Sequence, residues 1–262
     1  MSMASRAAEV IGWLESQGTP AARDGLARYG IPTEGAFGVS IGTLQKQAKA
    51  LGRDHALAGE LWATGRYEAR LLAGYIDDPA QVTAAQMERW VRQFDSWAIT
   101  DTVCFALFDR TTHAWKKVEE WSVRREEFVK RAAFALLASL AAHDKACGDA
   151  PFLDALPRVE RAASDERNFV KKGVIWALRS LGRRSLVLNQ AAIALAARLA
   201  ASTQPTERSI GKETLRELKS ASVQRQVTAK KAAPSKNKTA ARKTVTLEKK
   251  ATRATVTRKG RR

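Results

Sequence analysis

Residues 94–104 read FDSWAITDTVC, and the spacing inside that stretch sets the fold class. Ser96 is a strong helix N-cap, because its hydroxyl can accept a bond from an otherwise orphaned backbone N–H of the first turn. Trp97 and Asp101 follow it four residues apart. On a helix that interval puts an indole and a carboxylate on one face. Outward from here, residues 1–220 repeat apolar positions at helical intervals, as in Leu57, Leu61, Leu71 and Leu72, and in Phe134, Leu136, Leu137 and Leu140. Strand-like alternation of β-branched residues is absent. Further N-caps are expected at Ser40, Asp54 and Thr83, and helix stops at Gly18, Gly30, Gly52, Gly65, Pro79, Gly148, Pro157 and Gly182. These signals predict an all-α chain of about a dozen short helices. Trp62, Trp97, Arg131 and Trp176 lie 35, 34 and 45 residues apart. That interval suits two-helix HEAT-type repeats, which stack into a solenoid with a concave face lined by equivalent positions.

Composition bounds the rest. With 262 residues and 45% apolar content the chain can bury a substantial core. The longest apolar run, Ala132 to Ala142, is too short to span a bilayer. The N-terminal MSMASRAAEVIGWLESQG is amphipathic and carries Glu9 and Glu15, unlike a secretory signal. Cys104 and Cys147 lack metal-type spacing and are expected to be reduced, and His55, His113 and His143 are scattered, so neither a metal nor a cofactor is expected. A cytoplasmic monomer is the expectation. Net charge is +18, but Ala221 to Arg262 holds 14 Lys/Arg against the single acid Glu248. The basicity is mostly a tail. Residues 1–222 are expected to form the helical domain, and 223–262 a disordered Lys/Arg-rich tail that adds sequence-independent, salt-sensitive affinity for a polyanion.

Five motifs in order, AFGVSIGTLQKQAKALG (36–52), LWATGRYEARLLA (61–73), MERWVRQFDSWAITD (87–101), FVKRAAFALL (128–137) and NFVKKGVIWALR (168–179), resemble those of the DNA alkylation repair family of AlkD-like DNA glycosylases. The resemblance covers roughly residues 20–222. It implies a right-handed superhelix of HEAT-like repeats with a concave DNA-binding cleft. It also implies removal of N3- and N7-alkylated purines from duplex DNA without swinging the damaged base into a pocket. By the same resemblance Asp101 is the catalytic carboxylate, Trp97 and Trp176 the two indoles beside it, and Arg131 the arginine at the cleft. Arg179 is a phosphate contact and Tyr29 an aromatic near the lesion. One departure is Ala98, where a family member carries an acid.

The chemistry suits these residue types. An alkylated purine is already a good leaving group, so the enzyme must chiefly stabilise an oxocarbenium-like sugar and place a water, which one carboxylate can do. Each indole would add a cation–π contact of about 0.5–2 kcal/mol. Arg131 is expected to neutralise a phosphate or to pair with Asp101. Lys130, Lys171, Lys172, Arg179, Arg183 and Arg184 are the expected backbone contacts on alkylated double-stranded DNA. Trp13, Trp62, Trp90, Trp115 and Trp121 are expected in the core, and Glu68 as a structural acid joining repeats. The rival from another class is a non-catalytic HEAT-repeat protein that binds distorted or branched DNA.

Overall fold

The computed structural model describes residues 3–232. Among them run fourteen α-helices and two 3-10 turns, Leu26–Tyr29 and Phe108–Arg110. The helices are α1 (Met3–Gln17), α2 (Pro20–Gly25), α3 (Ile41–Leu51), α4 (His55–Ala63), α5 (Tyr67–Ile76), α6 (Ala84–Val91) and α7 (Trp97–Ala106). They continue as α8 (Ala114–Ser122), α9 (Glu127–His143), α10 (Ala150–Ala162), α11 (Asn168–Arg184), α12 (Leu186–Ala200), α13 (Pro205–Leu218) and α14 (Ala221–Ala232).

Local chemistry starts these helices where the sequence suggests. Ser40, Asp54, Thr83 and Ser96 each accept a bond from the backbone N–H three residues on, opening α3, α4, α6 and α7. Two expected stops do not act as stops. Pro157 lies inside α10, where Phe152, Ala155, Val159 and Ala162 continue a buried stripe across it. Burial of that stripe offsets the lost backbone bond. Gly182 lies inside α11 because α13 crosses it closely: a Cβ there would meet Leu218 Cδ1 at 2.6 Å. The glycine permits contact between helices rather than ending one.

Packing sorts the helices into two rows. α3, α5, α7, α9, α11 and α13 pack successively against one another, while α4, α8, α10 and α12 back them from the other side. This is the HEAT-like arrangement of stacked pairs. α9 is its centre, with every residue from Arg131 to Ala141 buried. Each large side chain there, such as Phe134 or Leu137, contributes about 1.5–3 kcal/mol by leaving water. Trp62 and Trp90 are buried and stacked at 4.0 Å, and Trp121 is fully buried. Trp13 and Trp115 are partly buried against the same core. Trp62 stands on α4, in the backing row, so it does not share a register with Trp97, Arg131 and Trp176, which lie on α7, α9 and α11. Equal spacing along the chain misled here, because the first interval crosses from one row to the other.

Glu68 joins repeats as expected. Fully buried on α5, it accepts backbone bonds from Phe37 N (2.8 Å), Gly38 N (2.7 Å) and Val39 N (3.2 Å). Three successive N–H groups converging on one anion form a nest. Gly38 is required there: its φ is +84° and a Cβ would sit 2.3 Å from Thr19 O. At the other end the domain boundary moves. Residues 223–232, assigned to the Lys/Arg-rich tail, continue α14, with Val223 and Val227 buried. Two valines four apart suffice to dock this helix on α11, α12 and α13. Residues 233–262, and with them the expectation of a disordered tail, lie outside the described residues. Among the described residues no helix is long and apolar enough to cross a membrane, and no cluster of three potential metal ligands occurs.

Candidate functional site

The N-terminal ends of α7, α9 and α11 come together on the face of their row that the backing helices leave open. Ser96 caps α7 and so fixes the direction in which Trp97 and Asp101 project. From α9, Arg131 meets Asp101 in a two-pronged pair: Nε donates to Oδ1 at 2.9 Å and Nη2 to Oδ2 at 2.7 Å. Its remaining Nη1 donates to the Phe169 carbonyl in the first turn of α11 at 2.7 Å. Arg131 therefore ties three consecutive helices of the row to one carboxylate. With only 5% of its surface exposed and each of those nitrogens engaged, it is not a phosphate contact. Its pairing with Asp101, the other expectation, is what the geometry contains.

Asp101 is not sealed. Its side chain keeps 22% of its surface in water. Burial pushes its carboxyl above the ordinary value, and the charge and hydrogen bonds of Arg131 oppose that shift. Each oxygen spends one lone pair on Arg131, so each retains capacity to orient a water or face a cation. Ala98 is buried, and an acid there would point into packed protein rather than into this site.

Trp97 hydrogen-bonds through Nε1 to the Tyr29 carbonyl at 2.9 Å, which pins the N-terminal 3-10 turn beside α7. Together with Arg28, Tyr29, Gly30, Asn168, Phe169 and Lys172 it lines a depression of about 340 Å³. Trp176 lines a neighbouring depression of about 460 Å³ with Lys171, Ile175 and Arg179. Asn168 and Lys172 border both, so the two indoles open onto one face. Tyr29 is 66% exposed there.

The cations divide into two groups. Lys171 and Lys172 line the depressions, and neither has a carboxylate partner among the described residues. Arg179 and Arg183 also face outward, but Arg179 pairs with Glu213 and Glu217, and Arg183 with Glu217. Much of their charge is offset locally. Two expected phosphate contacts are corrected. Lys130 pairs with Asp165 at 2.9 Å, inside a cluster that also holds Arg167. Arg184 is nearly buried, donating to the carbonyls of Ala141 and Cys147 and stacking over Phe152. Both join helices. Sequence cannot separate an inward from an outward arginine at the end of a helix whose neighbours are unknown. Asn168, Phe169 and Arg28 were overlooked. The NFVKK motif held two of them, but an Asn and a Phe opening a helix carry no chemical signal until the facing elements are in place.

The family model for the DNA alkylation repair enzyme matches residues 10–217. A similar solved structure, described as a new family of proteins related to the HEAT-like repeat DNA glycosylases with affinity for branched DNA structures, shares 23% identity and superposes with a TM-score of 0.68. The match covers 80% of this chain and 94% of that one. No curated protein sequence matches the chain. The stacked helical pairs and the ordered motifs that carry Trp97, Asp101, Arg131 and Trp176 thus have a common explanation: this chain belongs to the DNA alkylation repair enzyme family.

Proposed function

We propose that the chain is a DNA glycosylase that removes cationic N3- and N7-alkylated purines from duplex DNA. The observation that carries this reading is Asp101, partly exposed one helical turn from Trp97 and held rigid by Arg131, which also bonds Phe169 in the lining of the depression that Trp97 and Lys172 share. In the reaction the bond from C1′ to the alkylated base breaks, and its electron pair cancels the formal charge of the base, which leaves neutral. Positive charge grows on the sugar. The Asp101 carboxylate lowers the energy of that charge and orients a water whose oxygen bonds to C1′ and releases a proton. Arg131 keeps both carboxylate oxygens in place, so little reorganisation accompanies the step. Trp97 and Trp176 offer electron-rich faces to the same cation. Tyr29, Lys171 and Lys172 grip the duplex around the lesion without reading sequence. Arg179 and Arg183 add weaker contacts, since acids share their charge. The lesion is worked on at the open face, with the damaged base left in place rather than extruded.

One observation favours a second reading, a HEAT-like protein that binds distorted or branched DNA without catalysis. Both Asp101 oxygens already carry a bond from Arg131, which weakens the field that a cationic sugar would feel. The branched-DNA affinity ascribed to the similar structure points the same way. Incubating the full chain with methylated duplex DNA and resolving released bases by mass decides between them. Free 3-methyladenine or 7-methylguanine above the spontaneous rate supports the enzyme. Tight binding with no base released supports the second reading.

A further inference from the structure

The face of α7 that carries Trp97 and Asp101 does not end there. Phe105 follows Asp101 by four residues, so the three side chains form a line about 12 Å long at 1.5 Å per residue. Phe105 is 43% exposed. An edge contact with His143, at 4.1 Å between centroids, holds the ring in place. The ring borders a depression of about 430 Å³ at the C-terminal ends of α3, α5 and α7, where Lys49, Arg53, Tyr75 and Arg110 also stand.

A half-exposed phenylalanine alone needs no explanation; its company does. Lys49 is exposed and has no ion pair among the described residues. Arg53 uses Nη1 on the carbonyls of Tyr75 and Asp77, and Arg110 uses Nη1 on that of Ala106. These bonds neutralise the partially negative helix ends and leave the rest of each exposed guanidinium at the surface. The Asp77 and Asp109 carboxylates are fully buried against His55 and His143. Asp78 stays at the surface, accepting from Ala80 N and Gln81 Nε2, and offsets part of the charge of Arg53. The depression itself presents an aromatic plate, a second partly exposed ring and three cations.

Resting on the DNA reading above, we infer that this depression is a second nucleic-acid contact that takes an unpaired nucleotide. Phe105 stacks on the base while Lys49, Arg53 and Arg110 meet its phosphates. Stacking platforms flanked by cations bind single strands because every base has a π-face. Inside a duplex those faces are covered by neighbouring pairs, so the plate suits a flap or strand end next to the duplex held at Trp97 and Trp176.

The test compares a blunt duplex with the same duplex carrying a short single-stranded arm, by fluorescence anisotropy at fixed salt with the full chain. The parent is expected to prefer the armed duplex. Phe105→Ala should weaken binding of the armed duplex by about 5- to 150-fold, leave the blunt duplex unchanged, and regain the preference as Phe105→Trp. Equal affinities of the parent for both duplexes would overturn the inference while leaving the duplex reading intact, as would equal losses for both in Phe105→Ala. If the parent bound neither, the DNA reading itself would fall.

Discussion

Replacing Arg131 by methionine removes the guanidinium but keeps most of its volume among α7, α9 and α11. Asp101 then loses its charged partner and both hydrogen bonds from it, and the Phe169 carbonyl loses the bond from Nη1. Breaking a buried ion pair from one side costs about 3–5 kcal/mol, because the remaining charge stays desolvated. Asp101 keeps about a fifth of its side chain in water, which sets the expectation at the lower end, about 3 kcal/mol. In a domain of this size that corresponds to a melting point lower by about 6–12 °C. The companion Asp101→Asn/Arg131→Met double variant should recover much of the loss, since removing both partners leaves no stranded charge. Denaturant unfolding of the parent, both single variants and the double variant yields the coupling directly. A loss below about 1 kcal/mol in Arg131→Met, or a double variant no more stable than that single one, would refute the claim that this pair holds the site together.

Three further outcomes follow from particular contacts. Because burial holds the Asp101 carboxyl above its ordinary value, base release should fall as pH drops through a range higher than the usual carboxylate one, about 3.9, and a single-turnover pH profile locates that limb. Gly211→Ala should destabilise the fold despite the roughly 1 kcal/mol that alanine normally gains over glycine in a helix. The new Cβ would lie 2.2 Å from Ala200 N and 2.6 Å from Ala196 O, backbone atoms that cannot step aside, and thermal melting measures the sign. Truncation after Ala232 removes 11 Lys/Arg and spares α14, so it should flatten the salt dependence of DNA binding while leaving single-turnover excision at saturating enzyme nearly unchanged.

The fold was legible because its signals are local. Ser40, Asp54, Thr83 and Ser96 cap where their side chains can reach the first turn, whatever lies beyond. Signals that depend on a neighbour were misread. Gly182 resembles a helix stop until α13 is laid across it, and Trp62 matches the spacing of the Trp97 series until the two rows are separated. The α14 boundary was missed because Val223 and Val227 stand in a stretch dominated by Lys and Arg, and the surface that buries them is unknown from sequence. The site divides in the same way. Trp97 and Asp101 share a face by helical geometry alone, and the motifs mark Arg131 and Trp176. Whether Arg131 pairs inward or reaches out, and whether Lys130, Arg179, Arg183 and Arg184 are free, depends on Asp101, Asp165, Glu213, Glu217 and the carbonyls near Asp149. Each of these is brought up by a helix or loop distant in sequence.

The central claim is that Asp101 drives base loss rather than merely closing an ion pair. Asp101→Asn preserves the shape of the side chain and removes its charge. Release of 7-methylguanine under single turnover, measured beside affinity for an abasic duplex, separates chemistry from grip. The account predicts release slower by orders of magnitude with abasic-site binding nearly intact; release at the parent rate would contradict it.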